Sequence, residues 1–141
     1  MARLRLVLVV VGAFLGCSLP GPVRAEAPAT AAQIQRGEYL VLHVAMCVQC
    51  HTPRDQQGRL DETRLLQGAP MPVESPFPAF RWAFRAPALA GLSALPAKDV
   101  LSLLQTGKRL DGSSPNPPMP PFRFTPEDAT AVVAYLESLA P

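Results

Sequence analysis

Eleven of the 17 prolines in this chain fall between Pro70 and Pro121, and that clustering limits the fold more than any other feature. Proline lacks a backbone N–H and fixes φ, so it is excluded from helix interiors and central strands. The middle of the chain must therefore be mostly turn and extended loop. A loop as long as Gly68 to Leu95 is unusual in a compact domain unless it wraps something or carries function. Regular structure is left to three segments with helical patterning. The first is expected from about Ala31 to Met46, opened by a Thr30/Gln33 capping box, with Ile34, Gly37, Val41, Val44 and Ala45 on one face. The second runs from about Pro96 to Gln105, with Pro96 at the first helical position. Ala97, Val100, Leu101 and Leu104 form its apolar stripe, and Gly107 ends it. The third has Thr125 as cap, Pro126 at the first position and Glu127 and Asp128 at the positive helix end; Ala129, Val132, Val133, Leu136 and Leu139 are its buried stripe. The prediction is an all-α fold of about three main helices joined by long Pro-rich loops.

The N-terminus has the pattern of an export leader. Arg3 and Arg5 precede an apolar stretch from Leu6 to Leu15, and Val23-Arg24-Ala25 is an acceptable cleavage site. The expected organisation is a signal peptide at 1–25 and one domain at 26–141. The apolar run is about half the ~20 residues that a membrane span needs, so no span is expected after processing. A retained N-terminal anchor and lipidation at Cys17 stay open as other readings. The whole chain has a net charge of +2, but three of its bases sit in the leader, leaving ten bases and eleven acids. A nucleic-acid partner loses its support with that balance.

Three short helices make a thin core for a domain of this length, so apolar mass has to come from elsewhere. Cys47-Val48-Gln49-Cys50-His51 names a source, because Cys-x-x-Cys-His is the pattern of covalent c-type haem attachment. Residues three and four apart share a face of a helical turn. Cys47 and Cys50 can then add to two vinyl groups on one side of a haem, with His51 aimed at the iron. Two rival readings remain: a disulfide between two exported cysteines, and a zinc site of His43, Cys47, Cys50 and His51, which would crowd four ligands into nine residues.

Haem iron that only carries electrons usually has a second protein ligand, and a Met opposite the His raises its potential. Met46 adjoins Cys47 on the attachment side. Met119 lies in Pro117-Pro118-Met119-Pro120-Pro121, a stiff strap that loses little freedom on folding. Met71, flanked by Pro70 and Pro72, and His43 are the alternatives. Met119 could also be a gap-filler in the core, and His43 a surface residue.

Several further segments occur in a fixed order: Arg36-Gly37-Glu38-Tyr39-Leu40-Val41, the haem motif, Pro87-Ala88-Leu89-Ala90-Gly91-Leu92, Thr106-Gly107 with Asp111-Gly112, Pro118-Met119-Pro120, and Val132-Val133-Ala134-Tyr135-Leu136. As a set they resemble the class I cytochrome c family across nearly all of the chain beyond the leader. Cys50-His51-Thr52-Pro53-Arg54-Asp55, with Gly58, Leu60 and Asp61, is similar to the cytochrome subunits that accompany periplasmic alcohol and aldehyde dehydrogenases. The resemblance implies the class I cytochrome c fold, wrapped around one covalently attached haem c. It also implies that Gly37 lets the last helix approach closely, with Val132 and Tyr135 across it. Pro87 would accept a hydrogen bond from the free ring nitrogen of His51, although it lies 36 residues beyond that histidine, farther than in the smallest members. Trp82, Arg81 and Arg85 would donate to the haem propionates.

The expected function is single-electron transfer in a bacterial periplasm, with His51 and Met119 as axial ligands and other redox proteins as partners, a periplasmic dehydrogenase among them. Either a monomer or a subunit of a redox complex would suit such a role. No nucleophile–base pair or phosphate loop points to an enzyme. The competing reading is a haem-based enzyme or sensor whose sixth coordination site is open to a small ligand. Mass spectrometry of exported material should find Glu26 as the first residue; a mass that retains the leader would contradict the cleavage site.

Overall fold

The computed structural model describes residues 28–140; the expected leader, and Cys17 with it, lies outside the described residues. Helix α1 spans Ala31–Tyr39 and runs into a π-helical turn at Leu40–Val44. Helix α2, Val48–His51, is a single turn. Two short antiparallel strands come next, β1 at Ala69–Pro70 and β2 at Arg85–Ala86. Helices α3 (Ala97–Thr106) and α4 (Pro126–Ser138) complete the order. The regular structure of the described residues is mostly helical, with little strand. None of these helices is long and apolar enough to cross a membrane.

The helix starts obey their sequence signals. Thr30 accepts from the Gln33 N–H at 3.2 Å, and the Gln33 side chain accepts from the Thr30 N–H at 2.9 Å, closing the capping box. Thr125 accepts from the Asp128 N–H at 3.2 Å, with Pro126 at the first position of α4. Pro96 departs from expectation by one residue. Its ψ of 140° is extended, so it is the cap of α3 and not its first residue.

Two stripes also differ from the periodic pattern. The π turn closes with Ala45 N–H donating to the Leu40 carbonyl at 2.8 Å. One extra residue in that turn rotates the rest of the segment about its axis, so Leu40 and Val41 are buried while Val44 is 51% exposed. In α3, Leu103 joins Val100 and Leu104 inside. Helix α4 is buried all round from Ala131 to Leu136, as befits the central helix of a small domain.

The crossing of α1 and α4 organises the core. Gly37 is buried, and a Cβ there would overlap the Ala131 carbonyl and come within 2.7 Å of the Tyr135 Cβ. Ala131 and Tyr135 therefore supply the atoms nearest to Gly37. Arg36 adds a two-point ion pair to Asp128, at 2.9 and 3.2 Å. Its half-exposed position makes that pair a minor contribution.

The loop between α2 and α3 returns to the haem motif through bonds made by its backbone. Thr52 is 1% exposed, and its hydroxyl accepts from the Leu66 N–H at 3.0 Å. The Leu66 carbonyl in turn accepts from Leu89 at 2.8 Å and Ala90 at 3.2 Å. Gly68, at φ +80°, donates to the His51 carbonyl at 2.7 Å. A side chain there would be strained by that φ and would press on the Ala88 nitrogen and the Ala86 carbonyl.

Replacing Gly37 with Ala should destabilise the haem-loaded protein by about 1–3 kcal/mol or more, the cost of overpacking a tight contact. Denaturant unfolding checks this, and an unchanged midpoint would show that α1 and α4 can separate without loss.

Candidate functional site

Helix α2 exists to present three side chains. His51 N–H donates to the Cys47 carbonyl at 2.9 Å, closing the turn. Thr52 then leaves the helix at φ −110° and ψ 132°, the extended conformation favoured before a proline. Cys47 and Cys50 are both unbonded thiols, so the disulfide reading is not what the folded chain forms. Burial pushes the Cys47 thiol up to about 11, and the neighbouring Cys50 pushes the same way.

His51 is 5% exposed. Its Nδ1 lies 2.8 Å from the Pro87 carbonyl. A carbonyl oxygen can only accept, so Nδ1 carries the proton and Nε2 keeps its lone pair. Desolvation lowers the affinity of the imidazole for a second proton, and the Pro87 bond partly opposes that. The result is a neutral ring, fixed in orientation, with a free nitrogen available to a metal.

Cys47, Cys50 and His51 line one cavity of about 260 Å³ together with Pro87, Met71 and Met119. Leu89, Leu95, Leu103 and Phe122 supply an apolar wall, and Arg85, Arg109 and Asn116 supply polar groups. Met46 reaches the rim at φ 52°, 46% exposed. The donor set fits a haem: two thiols one helical turn apart, a neutral imidazole, thioethers and an apolar surround.

Met119 arrives on the strap between α3 and α4. The strap is held by the Pro117 carbonyl, which accepts from the Ala83 N–H at 2.8 Å, and by the Phe124 N–H, which donates to the Leu104 carbonyl at 3.0 Å. Met71 belongs instead to the hairpin, where its N–H donates to the Phe84 carbonyl at 2.9 Å.

Trp82, Arg81 and His43 lie off the cavity lining. Trp82 does not line the cavity; its indole N–H donates to the Val73 carbonyl at 2.9 Å. That donor is spent inside its own loop, so the propionate role is corrected for Trp82. Arg81 lies along the neighbouring groove with it. His43 is exposed and packs at a tilt against Tyr39, ring centroids 6.0 Å apart, away from the cavity lining. Neither an axial role nor a zinc site with the two cysteines agrees with that position. Among the described residues, no cluster of His, Cys, Asp and Glu could hold a metal.

Arg109 and Leu103 carry no sequence motif that marks them for the site. Arg109 is set by a closed turn, donating to the Ser113 hydroxyl at 3.0 Å and accepting from Gly112 N–H at 3.0 Å. Within that turn, hydrogen bonds from Ser113 and the charge of Arg109 hold the Asp111 carboxyl below its usual range. Leu103 was detectable, since it lies three residues beyond Val100.

Comparison with known proteins points the same way. The cytochrome c family profile matches residues 34–140. The chain is 32% identical over 127 residues to the protein named alcohol dehydrogenase (quinone), cytochrome c subunit, of Gluconacetobacter polyoxogenes, with 82% of this chain and 26% of that protein covered. The protein of the same name from Komagataeibacter europaeus gives the same figures. The chain thus spans about a quarter of the length of these relatives.

Replacing both Cys47 and Cys50 with Ala should abolish haem staining on a denaturing gel, and either single change should weaken it. Undiminished staining in all three variants would contradict attachment at these sulfurs.

Proposed function

The chain belongs to the cytochrome c family, and on that premise we propose that it is a periplasmic carrier of single electrons, holding its iron between His51 and Met119. The covalently bound haem c supplies the one-electron couple; the chain supplies ligands, burial and hydrogen bonds that tune it. The observation that carries this reading is the meeting of both thiols, the Pro87-held imidazole and a strap-borne thioether in one apolar cavity.

Each residue has a task there. Cys47 and Cys50 tether through their sulfurs. His51 offers Nε2 while Pro87 keeps Nδ1 protonated and the ring in place. Leu89, Leu103 and Phe122 keep water out, which favours the less charged, reduced state. Arg85 and Arg109 offer guanidinium donors for the two propionates.

Support for Met119 over Met71 comes from where each is mounted. Met71 shares the hairpin whose continuation delivers Pro87 behind the imidazole. Met119 comes from a separate element anchored at both ends. His51 and Met119 would both hold the bound haem c, which would leave no open position for a substrate, and on that reading the protein is a carrier and not an enzyme. The leader at 1–25 would direct export, leaving 26–141 as the working domain. The relatives named as dehydrogenase subunits support a dehydrogenase as the redox partner.

Replacing Met119 with Ala should lower the reduction potential by at least ~0.1 V, within the ~0.8 V that axial ligands span. The same variant should let the ferrous protein bind carbon monoxide quickly, while Met71→Ala should change neither property. The reverse pattern would move the ligand to Met71. Fast carbon monoxide binding by the unmodified protein would favour the open-site enzyme or sensor.

A further inference from the structure

Between Pro115 and Pro121 the strap has five prolines in seven residues, so only Asn116 and Met119 carry a backbone N–H. A segment so short of donors cannot brace itself with main-chain bonds of its own. It has to be fastened from outside, and Met119 lies within it.

The C-terminal side of the strap is fastened to α3. Phe124 N–H donates to the Leu104 carbonyl at 3.0 Å, and the Phe122 and Phe124 rings are stacked with centroids 5.3 Å apart. Pro121 and Arg123 pass close over Gly107, where an added Cβ would meet the Arg123 guanidinium at 2.6 Å and the Pro121 side chain at 3.0 Å. The N-terminal side is tied more sparsely. Among the described residues, the backbone of 114–121 makes a single main-chain hydrogen bond, from the Ala83 N–H to the Pro117 carbonyl at 2.8 Å. Met119 is two residues further along.

Ala83 is itself held on both sides. Immediately before it, the Trp82 indole N–H donates to the Val73 carbonyl at 2.9 Å, across the loop between β1 and β2. Immediately after it, the Phe84 carbonyl accepts from the Met71 N–H at 2.9 Å. Four residues beyond Ala83, the Pro87 carbonyl faces the His51 ring at 2.8 Å. Ala83, Arg85, Ala86 and Pro87 all line the cavity. One short run of chain thus bears the Met119 strap at one end and the His51 ring at the other, and four residues reach no more than about 14 Å.

We propose that Trp82 and Ala83 are positioning residues for Met119. The Ala83 N–H sets the strap at a distance from His51 that the run 83–87 fixes, and the Trp82 indole keeps that N–H in place. The idea deepens the electron-carrier reading and rests on it, since it names what holds one of the two ligands. Neither residue reaches the iron; both act through the strap, as outer partners orient an inner ligand. A thioether is neutral, so its hold depends on placement and not on charge.

The test uses the haem-loaded ferric protein and imidazole, a small ligand that takes the place of the Met119 thioether when the strap lets go. Ala83→Pro removes the N–H and should raise the affinity for imidazole severalfold, up to about tenfold, the factor that one lost hydrogen bond commands. Ala83→Ser restores the N–H and should restore the parent's affinity. Trp82→Phe keeps an aromatic ring without its donor and should raise the affinity by a smaller factor. A bond that served only to stabilise the loop would lower the unfolding midpoint and leave imidazole binding alone. Unchanged affinity in Ala83→Pro or Trp82→Phe, or a serine variant as altered as the proline one, would therefore overturn the proposal. Amide hydrogen exchange covers an Ala83→Pro chain that fails to fold. In the unaltered ferric protein the Ala83 N–H should exchange slowly, and saturating imidazole should speed it at least ~10-fold while the Met71 N–H stays slow. An Ala83 N–H that exchanges equally fast with and without imidazole would also overturn it. A Met119→Ala variant that binds imidazole no more tightly than the parent would instead overturn Met119 as the ligand, on which the proposal rests.

Discussion

A single hydrogen bond, from the His51 ring to the Pro87 carbonyl at 2.8 Å, explains why the middle of the chain is built as it is. The donor and acceptor are 36 residues apart, and the intervening loop contains too many prolines to form helix. It returns instead through a relay of bonds: the Leu66 N–H donates to the Thr52 hydroxyl, the Leu89 N–H to the Leu66 carbonyl, and the Gly68 N–H to the His51 carbonyl. Thr52, Leu66, Gly68 and His51 are all buried, where an unpaired polar group would be costly. The ring is thereby fixed in tautomer and direction before any ligand question arises. The small hairpin is a by-product of the same return, since β2 immediately precedes Pro87.

Much of this was legible in the residues because the signals are local. Capping by Thr30 and Thr125, the stop at Gly107 and the shared face of Cys47, Cys50 and His51 all depend on neighbours within one helical turn. Gly37 was marked only through the family resemblance, which implied a close approach of the last helix. What escaped depended on distant partners. Val44 faces outward because a π turn inserts one residue, and periodicity assumes a constant period. Trp82 reads as a free donor in sequence, yet its N–H is taken by Val73 across the loop. Arg109 gave no local sign at all, since it reaches the cavity only through the position of its turn relative to α3. Three thioethers at the cavity, Met46, Met71 and Met119, show the same limit, for spacing alone says which methionines are near but not which one faces the iron.

The site combines two demands that oppose each other. An apolar wall of Leu89, Leu95, Leu103 and Phe122 favours the reduced, less charged state, while carboxylates on the cofactor need cations or water. Arg85 and Arg109 sit in the same lining, so the molecule meets both demands within one cavity.

The crossing of α1 and α4 has a further consequence for how the polypeptide is made. The two helices that form the centre of the core are the first and last elements of the described fold, and their contact at Gly37 and Ala131 leaves no room for a looser arrangement. Pairing elements so far apart in sequence is slow, because closing the intervening chain costs entropy before any contact repays it. Until the final helix has left the ribosome, the earlier segments have no core to join. A nascent chain of this kind therefore stays open until that helix emerges, with both cysteines accessible to the machinery that handles it.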